Sequence, residues 1–180
     1  MDVNKEVQEM NAIKTQGNDT AIALRAGITE KYLTFQLAEE EYGLEILKVH
    51  EIIGLMNITH VPKMPDFVKG VINLRGKIIP VVDIRLKFGM DFNNYNERTC
   101  IIVVQIYAER GMIVMGIIVD KVLEVLDISP DQIEDTPVFG TNVNTEFILG
   151  VGKVGQRVVM LLDIDKVLSA DELMTVSSGF

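Results

Sequence analysis

The sequence predicts an all-β chain made of two small barrels or sheets with only short helices, and three observations carry that prediction. Apolar residues come in short alternating or continuous runs bounded by turn residues, the pattern of many short strands. The chain also repeats itself: GVINLRGKIIPVVDIRLKF at 70–88 recurs as GVGKVGQRVVMLLDIDKVL at 150–168, so that Gly70, Val71, Asp83 and Ile84 match Gly150, Val151, Asp163 and Ile164. One constant offset with apolar opposite apolar (Leu74/Val154, Ile78/Val158, Ile79/Val159, Val81/Leu161, Val82/Leu162) means one supersecondary unit used twice. Finally, no stretch offers the long helix that a doubly wound α/β fold requires.

Residues 1–30 are polar and lack sustained apolar periodicity, which predicts a mobile tail with at most a weak helix near Ala21 to Leu24. With no apolar face to bury, that segment is expected to be removable without loss of the fold. From Lys31, Leu33, Phe35 and Leu37 alternate with Tyr32, Thr34 and Gln36, the pattern of a half-buried strand that meets an acidic turn at Glu39, Glu40 and Glu41. The return from Tyr42, YGLEILKVHEIIGL, is interrupted by Gly54 and followed by Asn57, Pro62 and Pro65, hence a bent strand and then a loop. One helical turn is expected over 66–69. Strands follow over 71–74 and 77–82 around an Arg75-Gly76 turn, with Pro80 hinting at an edge or bulge. Asp83 then caps a short helix over 84–88 that Gly89 ends.

After a polar connector the pattern restarts with a strand over 100–107, a turn at Glu109-Arg110-Gly111 and a return from Met112. Aligned on glycine, residues 43–53 lie over 116–126, and Lys48, Val49 and Glu51 recur as Lys121, Val122 and Glu124, an offset of 73 (116 minus 43). The repeat therefore covers both hairpins. Ser129-Pro130-Asp131-Gln132 starts another short helix, and Ile164, Val167 and Leu168 stand at helical spacing, with Leu173 placed to extend that face and VSSGF at the end expected to be loose. The predicted organisation is one domain at 31–168, in which units 31–90 and 98–168 intertwine, between tails at 1–30 and 169–180.

Length and composition narrow the function. A chain of 180 residues buries roughly 70% of its unfolded surface, enough for a real core. With 17 basic against 26 acidic residues the net charge is −9 and no segment supplies a basic stripe, which disfavours nucleic acid and other polyanions. The start is charged with no apolar run behind it, and no run approaches the roughly 20 residues of a membrane span, so a cytosolic protein is expected. A mean hydropathy of +0.24, with nine Met and seven Phe, is high for so acidic a chain. Two small barrels must bury faces against each other, and apolar surface can remain for partners.

The motifs that suggest chemistry dissolve in context. Gly150-Val151-Gly152-Lys153-Val154-Gly155 fits G-x-G-x-x-G, but β-branched residues follow where a dinucleotide site needs a helix. His50 and His60 have no ligand spacing, and the single Cys, Cys100, opens an apolar run as a buried thiol would. Asp83 and Asp163 each precede a short helix and read as caps rather than an acid-base pair. No nucleophile has a local base, no phosphate loop exists, and no cofactor or metal is expected.

VPKMPDFVKGVINLRGKIIPVVDIRLKFG, with YGLEILKVHEIIGL upstream and MGIIVDKVLEVLDI and ILGVGKVGQRVVMLLDIDKVL downstream, resembles the CheW family of bacterial chemotaxis coupling proteins over about residues 31–168. The resemblance implies two five-stranded barrels of the Src-homology-3 type packed on a shared apolar interface, and an adaptor without catalysis. It implies two partners, the regulatory domain of the histidine kinase CheA and the cytoplasmic tip of methyl-accepting chemoreceptors, joined in arrays on the inner face of the membrane. Carried residue by residue, it points to Val49, Glu51, Ile52 and Ile53 for kinase binding, and to Gly70, Arg75, Val122 and Val125 for receptor binding or assembly. Gly70 is expected to be structural first, because its copy Gly150 recurs. The duplication suggests that the kinase docks on the first barrel and a receptor helix lies in the seam near Val122 and Val125. The alternatives are a CheW-like domain of a larger protein, CheV or CheA, and a small-ligand-binding enzyme, which would need a convergent polar pocket.

Overall fold

The structure is a computed structural model that describes residues 2–14, 29–108, 111–136 and 145–178. Among these residues the elements in chain order are α1 (Val3–Lys14), β1 (Glu30–Leu37), β2 (Glu40–Glu45), a 3-10 turn (Ile46–Lys48), β3 (Val49–Gly54), β4 (Val68–Leu74), β5 (Lys77–Asp83) and α2 (Ile84–Lys87). The second half holds β6 (Cys100–Ala108), β7 (Gly111–Val119), β8 (Lys121–Ile128), a 3-10 turn (Pro130–Gln132), β9 (Ile133–Glu134), β10 (Ile148–Val154), β11 (Arg157–Leu162), α3 (Ile164–Val167) and α4 (Ala170–Ser178).

Two mixed sheets result, in the orders β8-β1-β2-β11-β10-β9 and β3-β6-β7-β5-β4. The mostly-strand architecture is the one expected, although the two-residue β9 makes the first sheet six-stranded. Each sheet takes strands from both halves of the chain. The β1–β2 hairpin leaves its own half and pairs with β8 on one side and, in parallel, with β11 on the other, while the β6–β7 hairpin pairs with β3 and, in parallel, with β5. The halves are related by an exchange of hairpins.

Side-chain parity then builds three cores. On β6, Ile101 and Val103 join Ile72, Ile79, Val81 and Ile118 inside the five-stranded sheet's barrel. Tyr32 on β1 joins Ile128, Val159 and Leu161 inside the six-stranded one. The opposite faces of the same strands, Ile102, Val104 and Ile106 on β6 and Leu33, Phe35 and Leu37 on β1, meet in a third and largest core between the sheets. This corrects the half-buried reading of β1, because Tyr32 and Thr34 are buried too. Thr34 fits inside because its hydroxyl donates to the Glu124 carbonyl at 2.7 Å and accepts from the Glu124 amide at 3.2 Å, satisfying both.

The repeat extends to irregularities. β3 slips register against β6 between Val49 and Glu51, and β8 slips against β1 across the equivalent residues 122–125. β4 slips between Val68 and Gly70, and β10 between Ile148 and Gly150. Pro80 is tolerated because β7 joins β5 only from Val81 onward, so the ring sits where β5 is still an edge on that side. Asp83 accepts from the Arg85 and Leu86 amides, Asp163 from the Asp165 amide, and Gly89 ends α2 at φ +73°, as the caps require.

Several expectations need correction. The first hairpin turns on Ala38 and Glu39, so Glu40 and Glu41 belong to β2. Residues 66–69 form no helical turn, since β4 begins at Val68 after a turn closed by its amide and the Pro65 carbonyl at 2.9 Å. The polar start of the chain holds α1, whose Val7 is 1% exposed in the central core. The chain's end is likewise ordered through Ser178 by α4, with Leu173 and Val176 buried. Ala21 to Leu24, Glu109 and Arg110 lie outside the described residues.

Candidate functional site

The candidate residues fall around the outer strand β3 and the seam between the sheets. At the β4–β5 turn, Arg75 and Gly76 both have positive φ (49° and 85°), the signature of a tight hairpin turn matched to strand twist. Asn73 locks it by accepting from the Gly76 amide at 2.8 Å. A side chain in this left-handed conformation is disfavoured by roughly 1–2 kcal/mol, and such strain gathers at working sites. The turn curls back to β3, where the Arg75 guanidinium grips Glu51 with two parallel hydrogen bonds of 2.7 and 2.5 Å. Hydrogen bonding to Arg75 outweighs partial burial and holds the Glu51 carboxyl below the ordinary carboxylate range.

The second copy makes the contrast informative. Glu124, the repeat of Glu51, also meets an arginine after its hairpin, but Arg157 lies across the turn, is bound by both Glu124 and Glu41 at 2.7 Å, and its side chain is only 39% exposed. Arg75 has one carboxylate and its side chain is 71% exposed. The same device has become a clamp in one copy and a displayed cation in the other. Glu41, expected in the acidic turn, is part of that clamp.

Gly70 is buried at φ +135°, where a Cβ would stand 2.0 Å from the Thr59 carbonyl oxygen. Its copy Gly150 is crossed in the same way by Glu134, whose carbonyl oxygen would lie 2.9 Å away. Gly70 therefore shapes the surface without forming it. Val49 is fully buried in the central core and presents nothing to a partner, whereas Glu51, Ile52 and Ile53 are half-buried along β3. Val122 and Val125 on β8 are half-buried and pack on the central core from the other side of the seam. So the structure gathers the proposed residues on neighbouring surfaces but leaves Val49 beneath them.

One element of this region escaped the sequence reading. α1 packs on β3, on the 3-10 turn before it and on β8. Val3, Val7 and Met10, spaced i, i+4 and i+7, face the core, while Asn4 accepts from the Ile52 amide and the Asn11 amide group donates to the His50 carbonyl. The stripe was readable in principle, but Glu6 and Asn11 share it and dilute the apolar signal.

A polar cleft of about 430 Å³ lies between Gln36, Arg85, Asn96, Arg98, Asp120 and Lys121. One of its two acids and one of its cations are committed to each other, since Arg85 binds Asp120 at 2.5 Å, and Asp120 also accepts from the Ala38 amide. His50 and His60 are exposed, and burial pushes the Cys100 thiol up, away from a nucleophile's range. G-x-G-x-x-G runs along β10 into its turn. Among the described residues no group of three or more His, Cys, Asp or Glu could hold a metal, and no helix is long and apolar enough to cross a membrane.

Comparison with known proteins completes the picture. Residues 31–172 match the CheW-like domain family. The chemotaxis protein CheW of Klebsiella aerogenes is 42% identical over 84% of this chain and 89% of its own length. That of Thermotoga maritima is 35% identical over 82% of this chain and 91% of its own. Among solved structures, the scaffolding protein TtCheW of Thermoanaerobacter tengcongensis superposes with a TM-score of 0.71 at 36% identity, covering 81% of this chain and 96% of that one.

Proposed function

Because this chain belongs to the CheW-like domain family, we propose that it is a non-catalytic adaptor of bacterial chemotaxis, coupling chemoreceptor tips to the histidine kinase CheA in arrays at the cytoplasmic face of the membrane. The observation that carries this reading is the pair of adjoining surfaces. One is the β3 edge with Glu51, Ile52 and Ile53, beside which Arg75 is displayed; the other is the apolar seam flanked by Val122 and Val125. A kinase domain of the same fold would meet the first, and a receptor helix would lie in the second, anchored by apolar contacts at helical spacing.

The relatives matched over most of their own length are CheW proteins, whereas a CheV3 is matched over 40% of its length, which favours the CheW reading over CheV or CheA. The polar cleft leaves a ligand-binding reading its pocket, but the Arg85–Asp120 pair inside it is built as structure.

The test compares Glu51→Lys, Arg75→Ala and Val125→Glu, each with a native melting transition, titrated separately with the CheA regulatory domain and a receptor cytoplasmic fragment. Glu51→Lys is expected to lose kinase binding and Val125→Glu receptor binding. Arg75→Ala is expected to fold normally yet lose receptor control of the kinase, an effect of roughly thirtyfold or more if Arg75 is a hot spot. Equal loss of both partners in either of the other two variants would show that the surfaces coincide.

A further inference from the structure

We propose that α1 is an intramolecular occupant of the helix-binding seam, so that a partner's amphipathic helix must displace it. The proposal rests on the receptor reading of the seam given above. It begins from position: β3 and β8 are repeat-related strands in different sheets, and α1 packs against both. Its inward stripe, Val3, Val7 and Met10, uses the i, i+4, i+7 spacing with which any helix fills a groove. The helix occupies the place the adaptor's partner would need.

The seat is made to be left. α1 holds the β3 edge only through side chains, with Asn4 to the Ile52 amide at 3.3 Å and Asn11 to the His50 carbonyl at 2.9 Å. Inside the stripe, one carboxylate oxygen of Glu6 is buried with no hydrogen-bond partner, the sole such side-chain atom among the described residues. A buried unpaired acceptor weakens the contact that contains it. A helix of 12 residues is marginal in water without a groove to support it, so an undocked α1 is expected to unravel rather than compete from solution. Tethering offsets this, because α1 is always present at a high effective concentration that a partner must outcompete. Finally, α1 lies before the family match, which begins at residue 31.

The experiment titrates a receptor cytoplasmic fragment into the full-length chain and three full-length variants, while hydrogen exchange follows the amides of residues 3–14. Val7→Asp, and separately Asn4→Ala with Asn11→Ala, should release α1 and tighten fragment binding by roughly fivefold to fiftyfold, the share of the population freed from self-occupancy. Glu6→Leu removes the unpaired carboxylate from the stripe and should weaken binding by a similar factor. In the wild-type complex the α1 amides should lose protection. Should Val7→Asp fail to fold, the Asn variant and Glu6→Leu decide the matter. Unchanged affinity across the folded variants, or α1 amides that stay protected in the complex, would overturn self-occupancy while leaving the receptor reading intact. A fragment that binds no form of the chain would overturn both.

Discussion

Gly70 and Arg75 stand five positions apart in one hairpin and answer to different constraints. Gly70 is required by backbone geometry, since the Thr59 amide and carbonyl bond Val71 at 2.8 and 2.9 Å directly over its missing side chain. Gly70→Ala adds strain of roughly 1–3 kcal/mol to the loss of that bridge, and is expected to lower stability by about 3 kcal/mol or more. Gly54→Ala, where a Cβ meets nothing within 4 Å, is the control and should shift the urea midpoint little. If Gly70→Ala also weakens partner binding, the cause is a displaced loop at 55–67 rather than a lost contact. Arg75 has the opposite character, an exposed cation whose bidentate pairing with Glu51 orients it. Both residues were legible as a matched turn and its glycine, but which arginine is displayed was not, because that depends on how many carboxylates the fold brings to Arg75 and to Arg157.

The terminal helices show what element-level patterns conceal. α4 carries a capping box: the Ser169 amide donates to Glu172 at 2.7 Å and the Glu172 amide to the Ser169 hydroxyl at 3.3 Å. Ser169-Ala170-Asp171-Glu172 is visible in the sequence and went unread. Glu172 also accepts from the Lys87 ammonium at 2.5 Å, tying α4 to α2. Burial alone would push the Glu172 carboxyl up, but Lys87 and Ser169 together hold it below its ordinary 4.5. Because the folded value is depressed, this stabilisation is complete above the unfolded value and is lost as pH falls through the folded one. The urea midpoint of Glu172→Gln should therefore fall below wild type at about pH 7, and the gap should close well below about pH 4.5. A gap independent of pH would assign the loss to the cap's geometry instead of its charge. Truncating the buried Leu173 to Ala should cost roughly 2–5 kcal/mol if α4 is integral to the core.

For the whole molecule, hairpin exchange makes the two sheets one folding unit. Residues 30–90 alone would leave β1 and β2 without β8 and β11, and β3 and β5 without β6 and β7. That segment is expected to show no cooperative unfolding transition, whereas the full chain should show one, with exchange of the Tyr32 and Ile101 amides reporting the same stability. Phe35→Ala, in the core between the sheets, should cost roughly 3–5 kcal/mol and destabilise both probes together. Independent loss at Tyr32 alone would mean that the sheets unfold separately.

Local pattern was enough to determine that this chain is built of short strands, that one unit occurs twice, and that Asp83, Asp163 and Gly89 bound helices, because turn, cap and alternation signals act within a few residues. It also carried the family resemblance, since the motif residues sit in just those turns and strands. What only the tertiary structure decided was what each buried face is buried against. Alternation marks Leu33, Phe35 and Leu37 as inward, yet it cannot say that they meet Ile102 and Val104 from the other half, or that Tyr32 and Thr34 behind them close a second interior. Parallel pairing of β2 with β11 and β5 with β7 joins residues more than 30 apart in sequence, beyond the reach of any local signal. The stripe of α1, diluted by Glu6 and Asn11, had no visible counterpart either, because the strands it packs on, β3 and β8, come from different halves of the chain.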